Sequence, residues 1–421
     1  MSRSRRLLVL GAGRLQVPLI RRAVERGIEV VASDYYPDAP GKRFATFATM
    51  ASSTDLGANL AVAREYEVDG VATTGTDMPV ATMAGVAAAL GLPCYLTPRT
   101  GRIATDKVVQ SAAIASNGGR RPGSAEITPD GDVAAAVSGL RPPLILKPAD
   151  SQGQRGITRV DDLDPEALET AAAVARASSR TGRAIAEEFV DGHEIAASGW
   201  VSRGETRVIM ISDRVTYNRP PALGVAIWHL HPAGLPAQVV EDVERQVRAT
   251  TAAFEMEEGP VYMQLMVVGD EAHIIEGGAR AGGGHEPDLF PHLTGEDLYD
   301  RIIDLALEGA AEPVGHRFGD GTNPPHAGAG FLLARAGTIA RTSGFEPPLP
   351  EGILAGGFYV GPGRELVGVE NATSRVGYYF AAGDDRPSLL ERAGAFAATL
   401  RLEDEAGSNL LFEPEPEFLR L

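Results

Sequence analysis

Lys147 closes an apolar run, Pro143-Leu144-Ile145-Leu146, and the loop Ser151-Gln152-Gly153-Gln154-Arg155-Gly156 follows almost at once. A lysine at a strand end can aim its ammonium at a phosphate, and glycines let backbone N–H groups approach an anion closely. An exposed turn with a lysine beside it explains such a segment equally well, and the Walker spacing of glycine, four residues, Gly-Lys-Ser/Thr is absent. A second group is Glu187-Glu188-Phe189-Val190, followed by Asp191-Gly192 and Glu194. An extended edge here can offer backbone groups to a purine while a carboxylate across the turn takes ribose hydroxyls; a solvated acidic hairpin is the plainer alternative. A third group is Gln264, Glu276 and Arg280, the last two inside Glu276-Gly277-Gly278-Ala279-Arg280-Ala281-Gly282-Gly283-Gly284. Oxygen ligands on adjacent strands suit Mg²⁺ or Mn²⁺, which keeps waters and shares nucleotide phosphates. A guanidinium beside them can neutralise a transferring phosphoryl group or an oxyanion. A surface ion pair is the ordinary reading of a lone Glu and Arg, but so many glycines are worth ordering only where backbone must approach something.

Four further residues are candidate substrate contacts. Asp77 follows the apolar run 68–73, at the carboxyl end where parallel sheets present ligands, and can hold a substrate amine; an acid at a helix N-terminus is the alternative. His229 and His231 alternate in Trp228-His229-Leu230-His231 and share one face of a strand. They can bind a carboxylate or act as base, but with no cysteine and no third ligand nearby they make a poor zinc site. His285, inside the glycine-rich segment, is a candidate for the acceptor pocket.

The elements that must position these residues follow from periodicity. The pattern strand 7–10, glycine turn 11–13, amphipathic stretch to Arg26, strand 29–32, strand 68–73 and helix 78–90 makes residues 1–100 a parallel α/β unit. Asp34 stands about where a dinucleotide fold places its ribose acid, but Gln16 occupies the third glycine position of that fingerprint, so NAD binding is disfavoured. Residues 101–315 read as α+β, with one hairpin expected between 183–190 and 194–201 and another between 261–268 and 272–276 through Gly269-Asp270. Residues 316–421 read as a smaller α+β domain. The length, 421 residues, suits several domains. The formal charge of −17 disfavours nucleic acid and anionic membranes as partners. The single Cys94 excludes an intramolecular disulfide and fits a buried thiol in a reducing compartment. Arginines 3, 5 and 6 precede an apolar run too short for a signal peptide or a membrane span, so a cytoplasmic protein is expected.

Taken in order, and preceded by Thr105-Asp106-Lys107, these groups resemble the ATP-grasp superfamily, with the resemblance extending over about residues 3–400. It implies an ATP-grasp fold: an N-terminal Rossmann-like (pre-ATP-grasp) domain, a two-lobed nucleotide-binding region and a small C-terminal α+β domain. By the same resemblance Lys107 and Lys147 contact nucleotide phosphates, and the loop with Ser151, Gln152, Gly153 and Gly156 closes over them. The strand with Glu187, Glu188 and Val190 holds adenine, Glu194 the ribose, Gln264 and Glu276 the metal, and Arg280 is the catalytic arginine. Two departures stand out: Gln264 replaces an acidic metal ligand, for which Glu286 is a substitute candidate, and Gly278 replaces an asparagine. The Glu276-x-x-Ala279-Arg280 pattern, Gly259-Pro260-Val261 and the segment 377–383 are similar to stand-alone L-amino acid ligases. The implied activity is ATP-dependent joining of a small-molecule carboxylate to an amine through an acyl phosphate, with ATP and Mg²⁺ or Mn²⁺. The alternatives are a carboxylase or purine-biosynthetic ligase activating bicarbonate or formate, and an ATP-binding protein with weakened catalysis. A homodimer is an allowed assembly.

Overall fold

The computed structural model describes residues 3–220, 222–318 and 324–412. The outer ends of the expected 1–100 and 316–421 domains therefore lie outside the described residues, as does 319–323.

Short, wholly apolar runs suit strands covered on both faces. The runs within β1 (Arg6–Leu10), β2 (Glu29–Ser33) and β4 (Gly70–Ala72) are of this kind, and with the more exposed β3 (Phe47–Thr49) they form a parallel sheet in the order β3-β2-β1-β4. Leu7, Leu8, Val9 and Leu10 have no exposed surface. Helices α1 (Val17–Glu25) and α2 (Leu56–Glu65) connect strands, and α3 (Val80–Leu90) follows β4. The turn after β1 is filled by its own chain. Gln16 donates from Nε2 to the Thr74 carbonyl at 2.6 Å, and a Cβ on Gly13 would lie 3.1 Å from Gln16 Oε1. Asp34 accepts from the Ala12 N–H at 2.9 Å. The space that a dinucleotide pyrophosphate needs is taken by Gln16, and the acid that would hold its ribose caps the turn instead.

Two capped helices lead out of this domain. Thr97 caps α4 (Pro98–Thr105), and the Asp106 side chain accepts from Val108 and Val109 N–H groups to start α5 (Lys107–Ser116). The Thr105-Asp106-Lys107 segment is thus a helix break that fixes Lys107 on the first turn of α5.

A small lobe follows: β5 (Ser124–Ile127), α6 (Val133–Val137), β6 (Leu144–Pro148), β7 (Thr158–Val160), α7 (Pro165–Ala177) and β8 (Ala184–Glu188). Its antiparallel sheet runs β5-β8-β6-β7. The remaining strands are β9 (His193–Ser202), β10 (Glu205–Tyr217), β11 (Val225–His231), β12 (Glu258–Val268), β13 (Glu271–Gly278), β14 (His326–Ala334), β15 (Gly337–Thr338), β16 (Arg341–Ser343), β17 (Ile353–Phe358), β18 (Glu365–Leu366), β19 (Gly377–Gly383), β20 (Arg401–Glu403) and β21 (Leu411–Phe412). The helices among them are α8 (Ala237–Ala253), α9 (Glu286–Thr294), α10 (Leu298–Glu308) and α11 (Arg386–Ala397). The large sheet runs β13-β12-β9-β10-β11-β14-β19-β17, with β21 added on β14.

Three expectations change here. The hairpin between 183–190 and 194–201 does not form: β8 pairs with β5 and β6 in the small lobe, whereas β9 pairs with β10 and β12. Asp191-Gly192 is the crossing between two sheets, and the cleft opens there. The β12–β13 hairpin forms as expected, with Gly269 at φ +58°. The segment after residue 315 shares a sheet with the region before it, because β14 pairs with β11 from Trp228↔Gly330 to His231↔Ala327. Helix α10, assigned by sequence to the middle region, packs on the N-terminal domain: a Cβ on Gly70 would lie 2.1 Å from the Ala306 carbonyl, and Arg22 pairs with Asp300. Among the described residues no helix is long and apolar enough to cross a membrane.

Candidate active site

A cleft of about 510 Å³ lies between the small lobe and the large sheet. Its lining includes Lys107, Lys147, Ser151, Gln152, Gly153, Glu188, Val190, Glu194, Gln264 and Glu276. Gly156 ends the glycine loop at φ +67°, where a Cβ would strike Ser178 at 2.5 Å, so the loop geometry requires glycine.

The two lysines in the cleft are each held by a carboxylate. In the β6–β8 ladder Ile145 faces Glu187 and Lys147 faces Ile185, which makes Lys147 and Glu187 diagonal neighbours on one face. Lys147 Nζ is 2.6 Å from Glu187 Oε2, and Arg121 Nη2 is 2.8 Å from Oε1. Glu187 was expected to face the nucleotide; it is instead 3% exposed beneath Lys147 and positions that ammonium. Burial works to raise the Glu187 pKa, and Lys147 and Arg121 overcome it and hold it low. Lys107 Nζ lies 2.9 Å from Glu276 Oε1 and donates to the Ser151 carbonyl at 2.6 Å, tying α5, β13 and the glycine loop together. Burial opposes ionisation of Glu276, but Lys107, Lys147 and Arg280 outweigh it and hold its pKa down at about 2.

Glu188 is paired with Arg141, and its N–H donates to the Gly123 carbonyl at 2.8 Å, so neither group is free for a purine. Val190 lies past these bonds on the cleft wall. Glu194 accepts from both Arg214 and Gln264 Nε2. That turns the Gln264 carbonyl oxygen away from Glu194, and Gln264 stands directly opposite Glu276 in the β12–β13 ladder. One carboxylate and one amide oxygen fit Mg²⁺, which takes its other ligands from water and phosphates. Among the described residues no three His, Cys, Asp or Glu converge into a protein-only metal cage. Glu286 does not replace the missing acid: it begins α9, is 2% exposed, and accepts from the Gly284 N–H.

Arg280 is 7% exposed and grips Asp77 through Nε to Oδ1 at 2.8 Å and Nη2 to Oδ2 at 2.9 Å. Its guanidinium lies 5.0 Å from the Tyr262 ring centroid. Asp77 was expected to hold a substrate amine, but both its oxygens serve Arg280. Gln152 departs from expectation as well. Its Oε1 accepts from the Asp77 N–H at 2.6 Å, so the glycine loop is latched onto the N-terminal domain by a side chain expected to meet phosphate. Gln152→Ala is expected to raise KM for ATP several-fold and to increase ADP release not matched by product; a product-to-ADP ratio equal to wild type would exclude the latch role.

The three histidines part company. His285 precedes α9 at its N-cap position with φ +65°, with Nδ1 2.7 Å from Asp288 Oδ2, Nε2 bonded to the Tyr359 hydroxyl, and its ring stacked 4.0 Å from that of Tyr378. His229 lies 3.3 Å from Ser212 Oγ and 3.4 Å from Glu286 Oε1. Burial, with Arg214 next, pushes its pKa well down. His231 packs edge-on against Phe318 with both ring nitrogens lacking a hydrogen-bond partner, so it belongs to the core. Burial drops its pKa to about 4 from 6.5. Because the folded pKa is the lower one, its stabilising effect is complete above pH 6.5 and is lost as pH falls toward 4. The loss is on the order of 3 kcal/mol. His231→Phe is expected to flatten that part of the stability–pH curve measured by urea unfolding; an unchanged slope would contradict it.

Sequence reasoning missed Arg121, Arg214, Tyr359, Tyr378 and Arg375. Arg214 had a signal, since Asp213-Arg214 follows the apolar run Val208 to Ile211 within its strand.

Residues 140–287 match the ATP-grasp domain model, and residues 330–405 match the model of L-amino acid ligase C-terminal domain 2. A formate-dependent phosphoribosylglycinamide formyltransferase from Bordetella avium is 27% identical over 80% of this chain and 86% of its own length. The L-amino acid ligase of Bacillus licheniformis superposes with a TM-score of 0.76, at 20% identity over 96% of this chain and 100% of that one. The phosphoribosylglycinamide synthetase of Anaerococcus prevotii gives 0.74 at 18% identity, again over 96% and 100%. The fold is the ATP-grasp fold, and the chain is an enzyme of the ATP-grasp ligase class. Within that class its C-terminal domain is of the L-amino acid ligase type.

Proposed function

We propose that the protein joins the carboxylate of one small molecule to the amine of another, with an amino acid as at least one partner, and releases ADP and phosphate. The observation that carries this reading is the convergence of Lys107, Lys147 and Glu276 in one cleft, with the buried Arg280 close enough to bias Glu276 electrostatically. The match of residues 330–405 to L-amino acid ligases supports the amino acid partner.

A carboxylate oxygen attacks the γ-phosphorus, the bond to ADP breaks, and an acyl phosphate forms. The amine then attacks the carbonyl carbon, loses a proton, and phosphate departs. Little covalent chemistry is required of the protein in the first step, so placement and charge neutralisation carry it. Lys147 and Lys107 hold the phosphates, with Glu187 and Glu276 fixing where each ammonium points. Glu276 and the Gln264 carbonyl would hold Mg²⁺, which supplies further neutralisation at the phosphates. Arg280, oriented by Asp77, faces the oxyanion of the second step. The latched glycine loop excludes water, which would otherwise hydrolyse the acyl phosphate.

The relationship to a formate-dependent enzyme over 80% of the chain supports a second reading, in which formate or another one-carbon acid is activated. ADP release across free amino acids, formate and bicarbonate, with product identified by mass, tests both. Amide products from amino acid pairs are expected; ADP release that needs formate or bicarbonate and ignores amino acids would overturn the first reading.

A further inference from the structure

The C-terminal domain reaches the wall of the nucleotide cleft through a carboxylate that no step of the proposed chemistry uses. Asp213 lies in β10, has no exposed surface, and is held by groups from three separate parts of the chain. His193 Nε2 lies 2.8 Å from Oδ1, Arg386 Nη1 donates to Oδ2, and the Gly234 N–H donates to Oδ2 at 3.1 Å. Burial works to raise the Asp213 pKa; His193 and Arg386 outweigh it and hold the acid below the usual carboxylate range. A charge this deeply buried is costly once a partner is withdrawn.

The two outer members of this cluster sit at telling places. Arg386 opens α11, within the segment 330–405 that matches the L-amino acid ligase C-terminal domain. His193 opens β9, at the exit of the Asp191-Gly192 crossing between the two sheets, and lines the cleft. The crossing is tight: a Cβ on Gly192 would lie 2.5 Å from the Val267 carbonyl oxygen. Successive side chains of a strand point to opposite faces, so β10 holds the start of β9 on both. Arg214 grips Glu194 on the cleft face, and its neighbour Asp213 holds His193 on the other.

We propose that Arg386 and His193 are positioning residues acting through Asp213, by which the C-terminal domain sets the geometry of the crossing and with it the affinity of the cleft for nucleotide. This rests on the reading of the cleft as the ATP site. While Arg386 and the Gly234 N–H occupy Oδ2, the carboxylate is oriented with Oδ1 toward His193, and the crossing is fixed at its exit. When Arg386 is removed the carboxylate is free to turn, His193 loses its anchor, and the wall carrying Val190 and Glu194 loosens. Nucleotide binding is thus tied to the seating of α11, although Arg386 itself does not line the cleft.

The test is a double-mutant cycle on the full chain, read by calorimetric titration with MgADP. Arg386→Met and His193→Phe are each expected to weaken MgADP binding at least about fivefold, and the double variant to bind no more weakly than the weaker single. Arg386→Lys and His193→Gln, which keep a donor, are expected to recover part of the affinity. Arg392→Met is the control, because Arg392 lies on the same helix and pairs with Glu351 and Asp384 instead. It is expected to leave MgADP affinity unchanged whatever its effect on Tm. Should Arg386→Met not fold, Arg386→Gln takes its place in the cycle under the same criterion. Single effects that multiply in the double variant, an affinity untouched by the Arg386 substitution, or an equal loss in Arg392→Met would overturn the coupling. Lys147→Ala is titrated in parallel: wild-type affinity there, with the cycle still coupled, would remove the phosphate site assigned to Lys147 and leave the coupling standing.

Discussion

Arg280→Ala is expected to lower kcat for amine-dependent ADP release by about 10³-fold, as loss of a preorganised charge facing a developing oxyanion does. The same substitution is expected to destabilise the fold, because Asp77 is left as a largely buried carboxylate with both oxygens stripped of their partner. Breaking one side of such a pair costs about 3–5 kcal/mol. The two effects separate in the double variant Asp77→Asn/Arg280→Gln. Neutralising both partners is expected to recover most of the stability in urea unfolding and none of the turnover. Recovery of turnover along with stability would mean that Arg280 matters only as a structural tie between β13 and the N-terminal domain.

Lys147→Ala has the second largest expected effect, a fall of about 10²–10³-fold in kcat/KM for ATP. Here the fold is expected to survive better. Glu187 keeps its 2.8 Å contact with Arg121 after the lysine is gone, so the buried carboxylate is not left bare. Calorimetric titration with MgADP and the melting temperature distinguish a lost phosphate contact from a collapsed lobe. Glu187→Gln supplies the complementary arm: Lys147 keeps its charge but loses the acid that points it. A smaller loss than for Lys147→Ala is expected, with KM for ATP rising more than kcat falls. Turnover of Lys147→Ala within about threefold of wild type would remove Lys147 from the phosphate site.

The site residues differ in how legible they were, and the differences have physical causes. Lys147 was readable because its strand is an uninterrupted apolar run ending in a charge, a local signal needing no partner. Lys107 was readable only through the resemblance carried by Thr105-Asp106-Lys107; that Asp106 caps α5 is seen in the structure. Glu187 was misread because nothing local distinguishes a carboxylate facing solvent from one facing a buried lysine two positions along the neighbouring strand. Asp77 and Gln152 were misplaced for the same reason: their partners, Arg280 and the Asp77 N–H, lie 203 and 75 positions away.

The fold shows the same division. Binary patterning determined the parallel N-terminal unit and the β12–β13 hairpin, because adjacent residues and short turns settle those arrangements. Patterning could not decide that β8 and β9 enter different sheets, that α10 covers the N-terminal sheet, or that β14 extends the large sheet beside β11. Each of these choices sets one apolar face against another of equal hydrophobicity elsewhere in the chain, and the hydrophobic effect is not directional. The sequence by itself therefore determined which groups could meet ATP. The tertiary structure alone decided which of them face the cleft and which lie beneath it holding the others in place.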